Sequence, residues 1–139
     1  MYILGINPGE HDASACVVKN GEIISFAELE KIKQIKNIRY APPHEAIQSV
    51  LKDANITIDD VWKIAIGWGQ ARLSGITLDP KDYLQNKENY LNNLIPLEIF
   101  PRLKNPEIVF VPHHLSHASS GYYMSGFNDA SILVVDGWG

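Results

Sequence analysis

The chain reads as an α/β protein with a mixed sheet that begins with three antiparallel strands, has helices packed on it and gains parallel strands later. Three observations predict this. The first thirty residues hold three short runs rich in apolar and β-branched residues, the second and third joined by Asn20-Gly21, a dipeptide suited to the two positive-φ positions of a two-residue hairpin. A stripe at helical spacing follows and leads into another strand-like run, the alternation that adds parallel strands to a sheet. The alternation then recurs, with apolar runs at Ile108 to Val111 and Ser131 to Val135 on either side of a second helical segment.

Taken in order, Tyr2 to Ile6 is nearly continuous in apolar residues, as in a strand covered on both faces. Asn7-Pro8-Gly9-Glu10-His11-Asp12 is dense in turn formers and reverses the chain. Ala15 to Val18 returns as the second strand, and Glu22 to Ala27 is the third. Glu28 to Arg39 is highly charged and suits either a short helix or a mobile loop. Pro42-Pro43 opens a helix running through Asn55, because a first-turn proline gives up only an amide that would be unpaired anyway. Its apolar stripe is Ala46, Ile47, Val50, Leu51 and Ala54, ordinary core packing.

Ile56 to Asp60 is a turn, and Trp62 to Trp68 is the fourth strand. From Gln70 to Pro106 the pattern loosens into a helical excursion from the core. Within it, Asp79-Pro80-Lys81-Asp82 has the N-cap, proline and first-turn acid of a helix start. Tyr83, Leu84, Tyr90, Leu91, Leu94 and Ile95 give that excursion an apolar side, suited to covering a site or docking a partner. Ile108 to Val111 is the fifth strand, with a helix expected from the following histidines to about Tyr123. Ser131 to Val135 is a final strand, either of this sheet or of a missing second half of the fold, that ends at Asp136-Gly137-Trp138-Gly139.

Composition narrows the class. With 139 residues, 45% of them apolar and 20% charged, the chain suits one globular domain with a real core. A net charge of -4 gives no electrostatic footprint for nucleic acid or an anionic membrane. The single cysteine, Cys16, excludes an internal disulfide and fits a reducing cytoplasm; in an apolar strand it reads as an inert buried thiol. No run reaches the roughly 20 apolar residues of a membrane-spanning helix, and the N-terminus lacks a basic leader. A soluble cytoplasmic protein is the expectation.

The segment Val111-Pro112-His113-His114-Leu115-Ser116-His117 carries the chemistry. Three of the five histidines fall within it, just after a strand-like run, where pockets of α/β folds lie. On a helix His113 and His117 are one turn apart on one face, a spacing at which two imidazoles close on one divalent ion. His114 points about 100° away around the helix. Two imidazoles are too few for tight binding, and Asp136, at the end of the final strand, is the candidate third ligand. The bland alternative is a solvated or core-satisfied set of histidines.

These pieces together resemble the amino-terminal part of the NodU/CmcH-type carbamoyltransferases, which carbamoylate nodulation factors and antibiotics. The matching segments are Ile3-Leu4-Gly5-Ile6-Asn7, His11-Asp12-Ala13-Ser14-Ala15, Pro42 with its helix, His113 to Ala118, Ser125-Gly126-Phe127 and Leu133-Val134-Val135-Asp136-Gly137. The resemblance implies the first subdomain of an actin-like or sugar-kinase-like fold, truncated before the second half of that domain and before a YrdC-like domain. It implies a carbamoyl-adenylate made from carbamoyl phosphate and ATP, then transfer to a small-molecule hydroxyl acceptor. His113, His117 and Asp136 would hold a divalent metal, Fe(II) first, with Mn(II) and Zn(II) as alternatives.

His11 and Asp12 would line the same pocket, His11 as general base and Asp12 orienting it. Asp12 alternatively serves only an Asx-turn. Asn7 and Gly9 either serve the turn or present amides to a nucleotide phosphate, and Gly137 sits in an Asp-Gly turn at the nucleotide side. One departure is plain: Lys36-Asn37 stands where the family has Lys-His, and lysines stand where an arginine is expected, a real change for bidentate recognition. Other readings are a catalytically inactive metal- or partner-binding module of the same fold, dimeric through its apolar surface, and a relative of tRNA threonylcarbamoyl-transfer proteins.

Overall fold

The computed structural model describes residues 1–68, 71–73 and 75–137. Gln70, where the helical excursion was expected to begin, and Trp138-Gly139 lie outside them. The elements are β1 (Tyr2–Asn7), β2 (Ser14–Lys19), β3 (Glu22–Glu28), α1 (Leu29–Lys33) and α2 (His44–Asp53). A 3-10 turn (Ile58–Asp60) leads to β4 (Val61–Ile66), a small hairpin of β5 (Ala71–Leu73) and β6 (Ile76–Leu78), then α3 (Pro80–Gln85) and α4 (Lys87–Leu94). The last are β7 (Glu107–Phe110) and α5 (His113–Ser125).

The main sheet has the order β3-β2-β1-β4-β7. β1, β2 and β3 are antiparallel neighbours, whereas β4 adds to β1 and β7 to β4 in parallel. The mixed sheet is the one the sequence predicts. Asn20 (φ 51°) and Gly21 (φ 90°) supply the paired positive φ angles that turn β2 back into β3.

Strand alternation sends Leu4 and Ile6, Ala15 and Val17, Ile64 and Ile66 to one buried face. Ala46, Ile47, Val50 and Leu51 of α2 complete that core, and truncating one of its large members would cost about 2–5 kcal/mol. Pro43 is the N-cap of α2 rather than its first helical residue, its carbonyl accepting from Ile47 N. Asn55, at φ 53°, ends the helix, with Ile56 N donating to the Leu51 carbonyl.

The expected excursion is well packed, though it holds two short helices and a hairpin rather than one helix. Asp79 caps α3 by accepting from Lys81 N (2.9 Å), and Asp82 accepts from Asp79 N (2.7 Å), a reciprocal capping arrangement. Tyr83, Tyr90, Leu91, Leu94 and Ile95 join the same core, whereas Leu84 is exposed. The Tyr83 hydroxyl accepts from Ile108 N at 3.1 Å, satisfying a donor on the outer edge of β7.

Ser131 to Val135 forms no strand among the described residues; it pairs with nothing, and Leu133 and Val135 are 87% and 83% exposed. Its apolar run is strand-like only where another strand receives it, and the edge of β7 is not used. The other face of the sheet is partly open. Gly5, Cys16 and Ala65 floor it, and Phe26 stands exposed at its rim. Burial pushes the Cys16 thiol up, which fits the inert role read for it. A side chain at Gly5 would meet Cys16 Sγ at 2.6 Å, so only glycine fits opposite that sulfur. Among the described residues, no helix is long and apolar enough to cross a membrane.

Candidate metal centre

The site is built where β1 and β4 end. The chain leaves β4 through Gly67-Trp68, and β7 leaves through Val111-Pro112 into α5. Val111 N still donates to the Ile66 carbonyl (2.8 Å), so the parallel ladder carries the chain to the first turn of α5. Ser116 N then donates to the Pro112 carbonyl (3.0 Å) as the first helical bond. A side chain on Gly67 would meet Ser116 Oγ at 2.8 Å; the missing Cβ lets α5 seat directly on the end of β4.

This seating aims His113 and His117 inward from one face of α5. His113 Nε2 lies 3.0 Å from His117 Nε2 and 2.7 Å from Asp136 Oδ2, and His117 Nε2 lies 3.8 Å from the same oxygen. On the other side of its ring, His113 Nδ1 lies 3.3 Å from the Gly67 carbonyl. A carbonyl only accepts, so Nδ1 is the donor to Gly67, and a ring neutral in that tautomer has Nε2 bare. Asp136 Oδ2 is an acceptor too, so the 2.7 Å contact needs a proton or a metal ion between the two. Metal–ligand distances of about 2.1 Å put adjacent ligand atoms about 3.0 Å apart in an octahedron and about 3.4 Å in a tetrahedron. The separations of 2.7, 3.0 and 3.8 Å bracket those edges. Two imidazoles and a carboxylate also form the donor set that suits Fe(II), with Mn(II) and Zn(II) acceptable. The residues fit a divalent ion.

Asp136 reaches the site from the extended segment after α5. Gly137 N donates to its Oδ1 at 2.6 Å, and that bond, with His113 second, holds its carboxyl below the usual carboxylate range. Gly137 thus serves the aspartate in this structure. His114 is exposed on the flank of His113, with ring centroids 5.9 Å apart.

The loop between β1 and β2 forms the opposite wall. Asn7 Nδ2 donates to the carbonyls of Asp12 (2.9 Å) and His11 (3.4 Å), which pins the loop, while its Oδ1 is buried without a partner among the described residues. Asp12 adopts φ 55°, a left-handed conformation that aspartate tolerates, and its Oδ2 lies 2.7 Å from His11 Nδ1. Gly9 leaves room for Trp68: a Cβ there would stand 2.7 Å from Asn7 Oδ1 and 3.0 Å from Trp68 Nε1.

Two cavities meet at the triad. One, of about 680 Å³, is lined by Glu10, His11, Arg39, Trp68, His113, His114 and Asp136. The other, of about 480 Å³, runs over the small-residue floor of the sheet and reaches His113 and His117. The structure thus brings His11 to the same cavity as the triad. Among the described residues, none from 75 to 106 lines either cavity.

Sequence reasoning missed Arg39, Glu10 and Trp68. Glu10 Oε1 accepts from Arg39 Nη1 (3.3 Å) and from the Tyr40 hydroxyl (2.9 Å), tying the charged segment after α1 to the β1–β2 loop. A tryptophan immediately beyond the carboxyl end of a buried strand is the signal that could have flagged Trp68.

Compared with known proteins, the chain is 31% identical, over 93% of its length, to the nodulation protein NolNO of Sinorhizobium fredii. The resemblance read from the sequence is borne out. A Synechocystis protein, sll1178, itself uncharacterized, is 26% identical over 99% of the chain. The chain spans about a fifth to a quarter of these relatives, 20% and 26% of their lengths. No family model matches it. Among solved structures, YeaZ from Pseudomonas aeruginosa superposes with a TM-score of 0.53 at 13% identity, covering 90% of this chain and 50% of that one. That likeness is one of fold: the chain has the actin-like architecture.

Proposed function

We propose that this chain is part of a cytoplasmic carbamoyltransferase that moves a carbamoyl group from carbamoyl phosphate, activated with ATP, to a hydroxyl acceptor. Its similarity to NolNO and its actin-like fold support the reading. The observation that carries it is the convergence of His113, His117 and Asp136, two of which, His113 and Asp136, line a cavity shared with His11 and Arg39. A divalent ion held there supplies Lewis acidity and offsets negative charge on phosphate or carbamoyl oxygens.

The chain's own residues take the remaining roles. With Nδ1 of His11 donated to Asp12, its Nε2 is free to take the proton of the acceptor hydroxyl. Arg39 offers a planar fork of donors to a phosphate or carboxylate entering the cavity. The amide of Asn7 holds the loop that carries His11 in place, and Gly9 keeps the backbone close to the cavity.

A chimera tests this reading. The matching segment of NolNO is replaced by residues 1–139, and carbamoyl transfer from carbamoyl phosphate with ATP to a nodulation factor is measured. Transfer that is lost in His11→Ala is expected; a folded, metal-loaded chimera without transfer overturns the proposal. One observation favours a second reading, a partner-binding module: Phe26, Tyr123, Met124, Phe127, Leu133 and Val135 are all exposed. Sedimentation that returns a monomer at every concentration counts against self-association as that partner.

A further inference from the structure

We propose that Trp68 is a positioning residue: its indole fixes the ring of the metal ligand His113 and spaces it from His11. The inference rests on the metal centre described above and concerns a side chain that neither the motif spacing nor the resemblance assigns. Trp68 lies at the junction of the two cavities and lines both. Its ring stands 4.5 Å from that of His113, tilted by 39°, and 6.1 Å from that of His11, nearly perpendicular at 88°. Both separations fall in the range of favourable aromatic contacts. The indole thus touches the β1–β2 loop on one side and the first turn of α5 on the other.

Two glycines make room for this arrangement. A Cβ on Gly9 would lie 3.0 Å from Trp68 Nε1 and 3.3 Å from its Cε2, and Gly67, the preceding residue, holds His113 through its carbonyl. His113 meets the Gly67 carbonyl through Nδ1, and Asp136 Oδ2 and His117 Nε2 through Nε2. Contacts made at the ring nitrogens leave the ring free to tilt about the line that joins them. The indole face against it removes that freedom, so Nε2 stays aimed at His117 and Asp136. Outer groups that orient a ligating imidazole typically change metal affinity by about 10–100-fold when removed. Among the described residues, no other aromatic ring stands against both histidines.

The test is a Co(II) titration of the full chain, read by the visible spectrum of the bound ion and by indole fluorescence, with urea unfolding of each variant alongside. Wild type is expected to bind with quenching of indole fluorescence, since Trp68 is the tryptophan, among the described residues, in contact with a ligand. Trp68→Ala is expected to bind about 10–100-fold more weakly while still folded. Trp68→Phe, which keeps a ring on His113, is expected to recover most of the affinity and to lose the quenching. Should Trp68→Ala not fold, Gly9→Ala reads the same coupling, because its methyl tilts the indole; it is expected to weaken binding and alter the Co(II) spectrum. A folded Trp68→Ala, or Gly9→Ala in its place, that binds as wild type does overturns the proposal. A wild type that binds no Co(II) overturns the metal centre itself, and the two failures are told apart by the wild-type curve.

Discussion

Gly67→Ala is the perturbation whose effect can be worked most fully from the structure. The new methyl would lie 2.8 Å from Ser116 Oγ and 3.2 Å from Ser116 Cβ. The hydroxyl can turn to another rotamer, but Cβ is fixed to the helix backbone. So α5 must withdraw from the end of β4 by a few tenths of an ångström. Overpacking of that kind costs about 1–3 kcal/mol. It also lengthens the contact between the Gly67 carbonyl and His113 Nδ1, already 3.3 Å, that sets the ligand's tautomer. Loss of such an orienting bond weakens metal binding by about 10–100-fold.

Urea unfolding and a Mn(II) titration measure the two effects separately. Adding Ser116→Gly removes both clashing atoms and is expected to restore affinity, once the cost of about 1 kcal/mol for a helical glycine is taken from the single variant. A Gly67→Ala protein with unchanged unfolding midpoint and affinity would refute the claim that α5 sits directly on this glycine.

Tyr90 is fully buried, its hydroxyl has no hydrogen-bond partner among the described residues, and its ionisation is pushed far upward by burial. Tyr90→Phe is therefore expected to leave stability unchanged or raise it by about 1 kcal/mol, because an unpaired buried hydroxyl is removed; a clear loss in urea melts would show a missed partner. His44 is pushed below its ordinary value of 6.5 first by burial, against the opposing pull of its bond to the Leu94 carbonyl and of Glu45. The unfolded chain then takes up the proton more readily than the folded one, so stability is fully present above 6.5 and falls as pH drops through it. Urea midpoints measured above and below that value should differ in wild type and converge in His44→Gln; equal slopes would contradict the assignment.

Much of this was legible in the chain because the signals were local. Asn20-Gly21 and Asp79-Pro80-Lys81-Asp82 carry their own backbone geometry, and the structure uses them as turn and cap. The helical spacing of His113 and His117 likewise needs only the helix to bring both imidazoles together. What escaped depended on neighbours. Ser131 to Val135 has strand composition, yet composition cannot supply the strand it would pair with. The hairpin of β5 and β6 is too short for a periodic signal. Trp68 and Arg39 matter through contacts with Gly9, Glu10 and His113, residues distant in sequence that only the fold brings near.

The central claim is that this chain by itself assembles a divalent metal centre from His113, His117 and Asp136. Titration of the purified chain with Fe(II), Mn(II) and Zn(II), beside a His113→Ala, His117→Ala double variant, tests it directly. The expected result is saturable one-to-one binding by wild type that disappears in the variant while both proteins unfold at similar urea concentrations. Absence of saturable binding in folded wild type, or equal binding by the double variant, would contradict it.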